Sequence, residues 1–128
     1  MVERWDFQAH RLWSHGECLP SSESLTHAAV YESWPNVECV LHGHAPMIWD
    51  CAEGLGLVST PADVDYGTPE MVQATRVLAS THPQLDFFVM KGHQDGVVSL
   101  GNTIDEAGRR LLAVWASAEG WRKHVRKY

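Results

Sequence analysis

The chain has 128 residues, an apolar share of 45%, a charged share of 20% and a formal net charge of −6. That length suits one domain, residues 1–128, able to bury a core without disulfide staples, and the acidic balance leaves no broad basic surface for nucleic acid. No stretch reaches the roughly 20 apolar residues that span a bilayer, and charged or polar residues from Arg4 to Glu17 break any leader-like run, so a cytoplasmic protein with no membrane partner is expected.

The predicted elements alternate. Pro20-Ser21-Ser22 supplies a proline and two candidate N-caps for a helix over 21–34, with Leu25, Ala28, Ala29 and Trp34 as its apolar residues and Pro35-Asn36 as its stop. Val37 to His42 is β-favouring and is expected as a central strand. Thr68-Pro69 is a capping threonine with proline at the first helical position, and Met71, Ala74 and Leu78 keep helical spacing as far as Thr81-His82-Pro83. Leu85 to Met90 and Val97 to Leu100 form a buried hairpin, joined by Lys91-Gly92-His93-Gln94-Asp95-Gly96, whose glycines suit a tight connection. Thr103 to Glu106 reads as a capping box, with Ala107, Leu111, Leu112 and Trp115 on one helical face. Arg122, Lys123, Arg126 and Lys127 gather toward the negative end of that last helix.

Histidines two apart in a strand face the same way, so His42 and His44 can present both rings to one point if the strand persists through Gly43. A catalytic zinc site holds the ion with three protein ligands, nitrogen at about 2.0–2.1 Å, and keeps one position open. His93, in a glycine-flanked turn after a buried strand, is the candidate third ligand. Taken alone, the His-x-His pair is a weak signal. Three cysteines, Cys18, Cys39 and Cys51, fit neither a disulfide framework nor a Cys-x-x-Cys clip.

The order and spacing of several short motifs add a resemblance. Pro20-Ser21-Ser22-Glu23, His27, Val40 to Ala45 with His42-Gly43-His44, Gly67-Thr68-Pro69-Glu70, Gly92-His93 and Gly101-Asn102-Thr103 follow one another as in the class II aldolase/adducin family. This pattern resembles L-fuculose-phosphate aldolase and its relatives over about residues 17–115. The resemblance implies an α/β fold with a central, mainly antiparallel sheet flanked by helices. It implies zinc, or another divalent ion such as Mn2+ or Co2+, on His42, His44 and His93, with Glu23 as general acid/base and Ser21 and Ser22 holding a substrate phosphate. A metal-dependent lyase acting on a small hydroxy-carbonyl or sugar-phosphate compound through an enediolate is the implied activity. Epimerases, a dehydratase and the non-catalytic adducin head, which serves assembly, share the family.

The pattern also departs from the family. The family's N-terminal layer and the segment with its catalytic tyrosine have no match, and Tyr66, expected to line the site, does not correspond to that tyrosine. Loss of that layer should leave an apolar sheet face for a neighbouring subunit, so a homo-oligomer, tetrameric in the family's manner, is expected. Blander roles suit other residues: His27 as a structural hydrogen-bond partner of Glu23, four residues away on the helix; His10, His15, His82 and His124 on the surface; Trp34, Trp49 and Trp115 in the core; Asp63 and Asp65 on a solvated edge.

Overall fold

A computed structural model describes residues 1–125; Arg126 and Lys127, expected at the end of the last helix, lie outside them. In chain order the elements are β1 (Val2–Asp6), β2 (Arg11–Ser14), α1 (Ser24–Ser33), β3 (Cys39–His44), α2 (Pro46–Cys51), β4 (Ser59–Thr60), α3 (Pro69–Thr81), β5 (Phe87–Met90), β6 (Gly96–Gly101) and α4 (Ile104–Val125). β1 and β2 form a separate antiparallel hairpin, while the main sheet has the order β3-β6-β5-β4. Its β3/β6 and β5/β6 pairs are antiparallel and only β4/β5 is parallel, so the fold is α/β with a mainly antiparallel sheet, as expected.

Apolar side chains alternate across β5 and β6 and build a core on each face of the sheet. On one side Phe88, Met90, Val98 and Leu100 pack with Val40 against Val30, Trp34, Met71 and Leu78 of the α1/α3 layer. On the other, Phe87, Val89 and Val97 pack against Ile48 of α2 and against Leu111, Val114 and Ala118 of α4. Both central strands are buried along their whole length. Phe88 is fully buried, and removing a ring of that kind costs about 3–5 kcal/mol. The hairpin adds an outer layer, with Trp5, Phe7 and Leu12 against Leu25, Ala29 and Val72.

Several expectations are corrected. β3 is an edge strand, not a central one: its apolar run marks burial by the helices, which fixes no lateral position in a sheet. The expected open sheet face is absent among the described residues, because α1 and α3 cover one face and α2 and α4 the other. α4 keeps Ala107 and Leu111 inward as expected, but Val114 and Ala118 complete that side, leaving Leu112 and Trp115 exposed, since a step of seven from Ala107 falls on Val114. α1 begins at Ser24 and not at 21. The Ser21 hydroxyl accepts the Glu23 N–H at 3.2 Å and its carbonyl accepts the Ser24 N–H at 3.0 Å, closing a turn ahead of the helix.

The other expected caps form. Thr68 accepts the Met71 N–H at 3.2 Å with Pro69 in the first turn of α3. At α4 the Thr103 hydroxyl accepts the Glu106 N–H at 3.1 Å, while the Glu106 carboxylate reaches the Asn102 N–H, one residue beyond the usual box. The cysteines are free thiols.

Candidate metal centre

The site lies where β3 ends. Because β3 runs through Gly43, His42 pairs with Val98 and His44 with Gly96, and both imidazoles project to the α1/α3 side. β3 is held there by the Ala45 N–H, which donates to the Asp95 carbonyl at 2.8 Å.

His93 comes from the turn between β5 and β6, which is tied on each side. The His93 N–H donates to Met90 at 3.1 Å and the Gly96 N–H to His93 at 2.8 Å. Next to it, the Lys91 ammonium donates to the Trp49 carbonyl at 2.7 Å and lies 4.0 Å over the Trp49 ring, clamping the turn to α2. The positive φ that the turn needs falls on Asp95, not on either glycine. The glycines serve close approach instead: a Cβ on Gly96 would meet His93 at 3.0 Å, and one on Gly92 would meet the Val64 carbonyl oxygen at 1.8 Å.

These elements bring the three imidazoles together. Ring centroids are 5.3 Å apart for His42 and His44, 5.1 Å for His42 and His93, and 4.7 Å for His44 and His93. One ring nitrogen from each can be chosen so that all lie within 4.8 Å of one another. The His42 Nδ1 lies 3.1 Å from the Val97 carbonyl, which can only accept, so Nδ1 carries the proton and Nε2 keeps its lone pair. Burial pushes His42 below the usual histidine range, against the opposing pull of the Glu23 carboxylate and Val97, with His44 adding to the lowering. Burial likewise lowers His93, opposed by Glu23 and assisted by His42 and His44. Neutral imidazoles are the form that ligates metal.

Glu23 stands at the N-terminal end of α1 and is 3% exposed. Neither carboxylate oxygen has a hydrogen-bond partner; Oε1 lies 3.6 Å from His93 Nδ1, which is also buried and unpartnered. A buried carboxylate without hydrogen-bond partners is costly, so this cluster has the chemistry of a cation site, three imidazole nitrogens with a carboxylate alongside. The residues fit a divalent metal.

The remaining expected site residues divide. Ser21 lines a cavity of about 330 Å³ with Glu23, Ser24, His27 and His42. Ser22 is exposed and sits against Gly67, outside that lining. Tyr66, half exposed, stacks on the His93 ring at 4.3 Å between centroids. His27 bonds to Glu23 only through the backbone, its N–H donating to the Glu23 carbonyl at 2.9 Å, while the carboxylate oxygens are unpartnered; its ring lines the cavity, and burial followed by the nearness of His42 lowers its pKa. His10, expected on the surface, is half-buried in a left-handed turn, and its Nε2–H donates to the Gly67 carbonyl at 2.9 Å beside Tyr66. Its neighbour in the turn, Ala9, carried no signal of that contact.

Fold and site together define a class. Residues 4–121 match the class II aldolase and adducin N-terminal domain, and the chain belongs to that family. The match starts inside β1, ahead of the segment in which the motifs lie. Among particular proteins the chain is similar to beta-adducin of Homo sapiens, 29% identical over 116 residues, in an alignment that takes in 80% of this chain and 16% of beta-adducin. The chain thus spans about a sixth of the length of that relative. Among the described residues no helix is long and apolar enough to cross a membrane.

Proposed function

We propose that this chain is a divalent-metal-dependent lyase of the aldolase type, acting on a small hydroxy-carbonyl compound, with His42, His44 and His93 holding zinc, Mn2+ or Co2+. The observation that supports this most is Glu23, a buried carboxylate with both oxygens unpartnered, beside His93 and His42 of a three-imidazole cluster. A bound divalent ion would supply the positive charge that stabilises an oxygen becoming anionic as a bond next to a carbonyl breaks. Glu23 moves the proton: its carboxylate takes it from the substrate hydroxyl or carbon and returns it to the carbon left electron-rich. Ser21 offers a hydroxyl in the same cavity, Ser22 lies outside its lining, and Tyr66 covers one face of the His93 ring. The same residues would serve an epimerase or dehydratase, which share proton transfer beside a carbonyl. The chain is read as one cytoplasmic domain, residues 1–128, and as a homo-oligomer on the strength of the family resemblance, both faces of its sheet being covered by its own helices.

A second reading, a non-catalytic assembly module, is favoured by the likeness to beta-adducin. Assembly requires neither Glu23 nor the histidines. The two separate by metal content and by exchange of substrate carbon-bound hydrogen with deuterated solvent over a panel of short ketoses, hydroxy-aldehydes and hydroxy-acids. The lyase reading expects about one ion per chain and exchange on at least one compound. Glu23→Gln should keep the ion and the fold while exchange falls by about 10²–10⁴-fold. Wild-type protein that exchanges none of them supports the assembly module; exchange at the wild-type rate in Glu23→Gln removes Glu23 from its role.

A further inference from the structure

We propose that the cavity at the metal centre continues into an uncharged, partly aromatic groove along α1, and that this groove receives the distal end of the substrate as an aryl or alkyl group, not as a phosphate. The inference rests on the reading of His42, His44, His93 and Glu23 as the reacting end.

Two cavities adjoin. The first, beside Glu23 and His42, is followed by one of about 270 Å³ lined by Val2, Trp5, Ser24, His27, Ala28 and Tyr31. Ser24 and His27 line both, so the second begins where the first ends. Ser24, His27, Ala28 and Tyr31 recur at the spacing of one helical face and form the floor, running about 10 Å along the axis. Val2 and Trp5 of β1 form the wall. The hairpin therefore completes a binding surface as well as covering the α1/α3 layer.

The charges around this groove argue against an anion. Neither cavity is lined by a lysine or an arginine, whereas Glu23 closes one end. At the other end the Trp5 indole N–H donates to the Glu32 carboxylate at 2.8 Å. Arg76 is engaged by that same carboxylate at 3.5 Å and lies 4.4 Å over the Phe7 ring. A phosphate would thus lie between two carboxylates with no cation lining its site, while phosphate recognition draws on Arg, Lys or clustered N–H donors. With its N–H already committed, Trp5 presents ring surface, as does Tyr31, and Val2 adds an aliphatic one. Lining both cavities, the His27 ring is left at the junction to meet a hydroxyl of the substrate.

The test uses hydroxamates, which chelate divalent metals, titrated into the zinc-loaded protein by calorimetry. Acetohydroxamate reports the metal alone, phenylacetohydroxamate adds a ring, and phosphonoacetohydroxamate adds a dianion. The ring should tighten binding by about ten- to a hundredfold over acetohydroxamate, from the apolar area it buries. Tyr31→Ser and Trp5→Ala should each erase much of that gain and leave acetohydroxamate unchanged; Trp5→Leu serves if Trp5→Ala opens the hairpin. Phosphonoacetohydroxamate should bind no better than acetohydroxamate. A tenfold advantage for the phosphonate, or no gain from the ring, overturns the proposal. If no hydroxamate binds, the metal reading has failed by itself, and the groove is then judged with 1-phenyl-1,2-ethanediol, followed by NMR. Saturable shifts of the Trp5 indole N–H and the Tyr31 ring uphold it, and their absence overturns it.

Discussion

At one end of β6, Arg110 reaches Asp86 at 2.8 Å and Glu106 at 3.5 Å and also donates to the Leu100 carbonyl, while Glu106 accepts the Asn102 N–H. At the other end, about 17 Å along the strand, Glu23 and His93 keep buried polar atoms with no partner. Both ends hold ionisable groups over the rim of one sheet, beside a turn or loop. The first set is mutually satisfied and partly exposed, the second buried and unsatisfied. The difference teaches that one end is ordered by its own partners while the other keeps buried polar atoms that a cation could satisfy.

The comparison breaks most sharply through metal affinity. His44 is exposed, so His44→Ala should leave the fold intact while weakening zinc binding by more than about 100-fold, since loss of even an outer-sphere partner typically costs 10–100-fold. Arg110→Ala should leave that affinity unchanged. Competition against a chromogenic chelator measures both, and equal losses would mean that the two ends do not differ as described.

Stability of the metal-free protein should respond with opposite signs. Glu23→Leu removes an unpartnered buried carboxylate and should raise the melting temperature by several degrees, equivalent to about 1–2 kcal/mol. Arg110→Ala should lower it, by about 1 kcal/mol or less, because the Arg110 and Asp86 side chains are 25% and 57% exposed and solvent screens the pair. A fall in Glu23→Leu would show the carboxylate to be a structural partner.

The smallest effect concerns pH. His27, His42 and His93 are held below the ordinary histidine value, chiefly by burial, so the folded state binds fewer protons than the unfolded chain just below about pH 6.5. Stability of the metal-free protein should be fully present above that pH and decline as pH drops from there toward the folded-state values. Urea midpoints measured between pH 7.5 and 5.5, about a unit either side of the histidine value, test this, and a midpoint that rose on acidification would contradict it.

Much of this contrast was legible in the residues. Thr68-Pro69, Thr103 with Glu106, and the paired runs 85–90 and 97–100 announced α3, α4 and the β5/β6 hairpin, because caps and long apolar runs act locally. The expected convergence of His42, His44 and His93 came from strand alternation plus family resemblance, and the structure brings the three rings together. What escaped depends on distant neighbours. β3 lies at the edge because β6 inserts beside it after a long stretch of chain, and nothing in Val37 to His42 encodes that. α2 is short, and its one local mark, Pro46 in the first turn, went unread. The groove at Trp5 and Tyr31 exists only once the β1/β2 hairpin docks on α1.

Gly92 has a bearing on how such a protein can diversify. A Cβ there would strike backbone at Val64, which no change of rotamer can relieve, so the loop that carries Tyr66 and the turn that carries His93 are effectively one inherited part. Insertions in either would have to be matched in the other. A lineage adapting to new substrates is therefore steered toward exchanging the residue at position 66 and away from remodelling the loop around it.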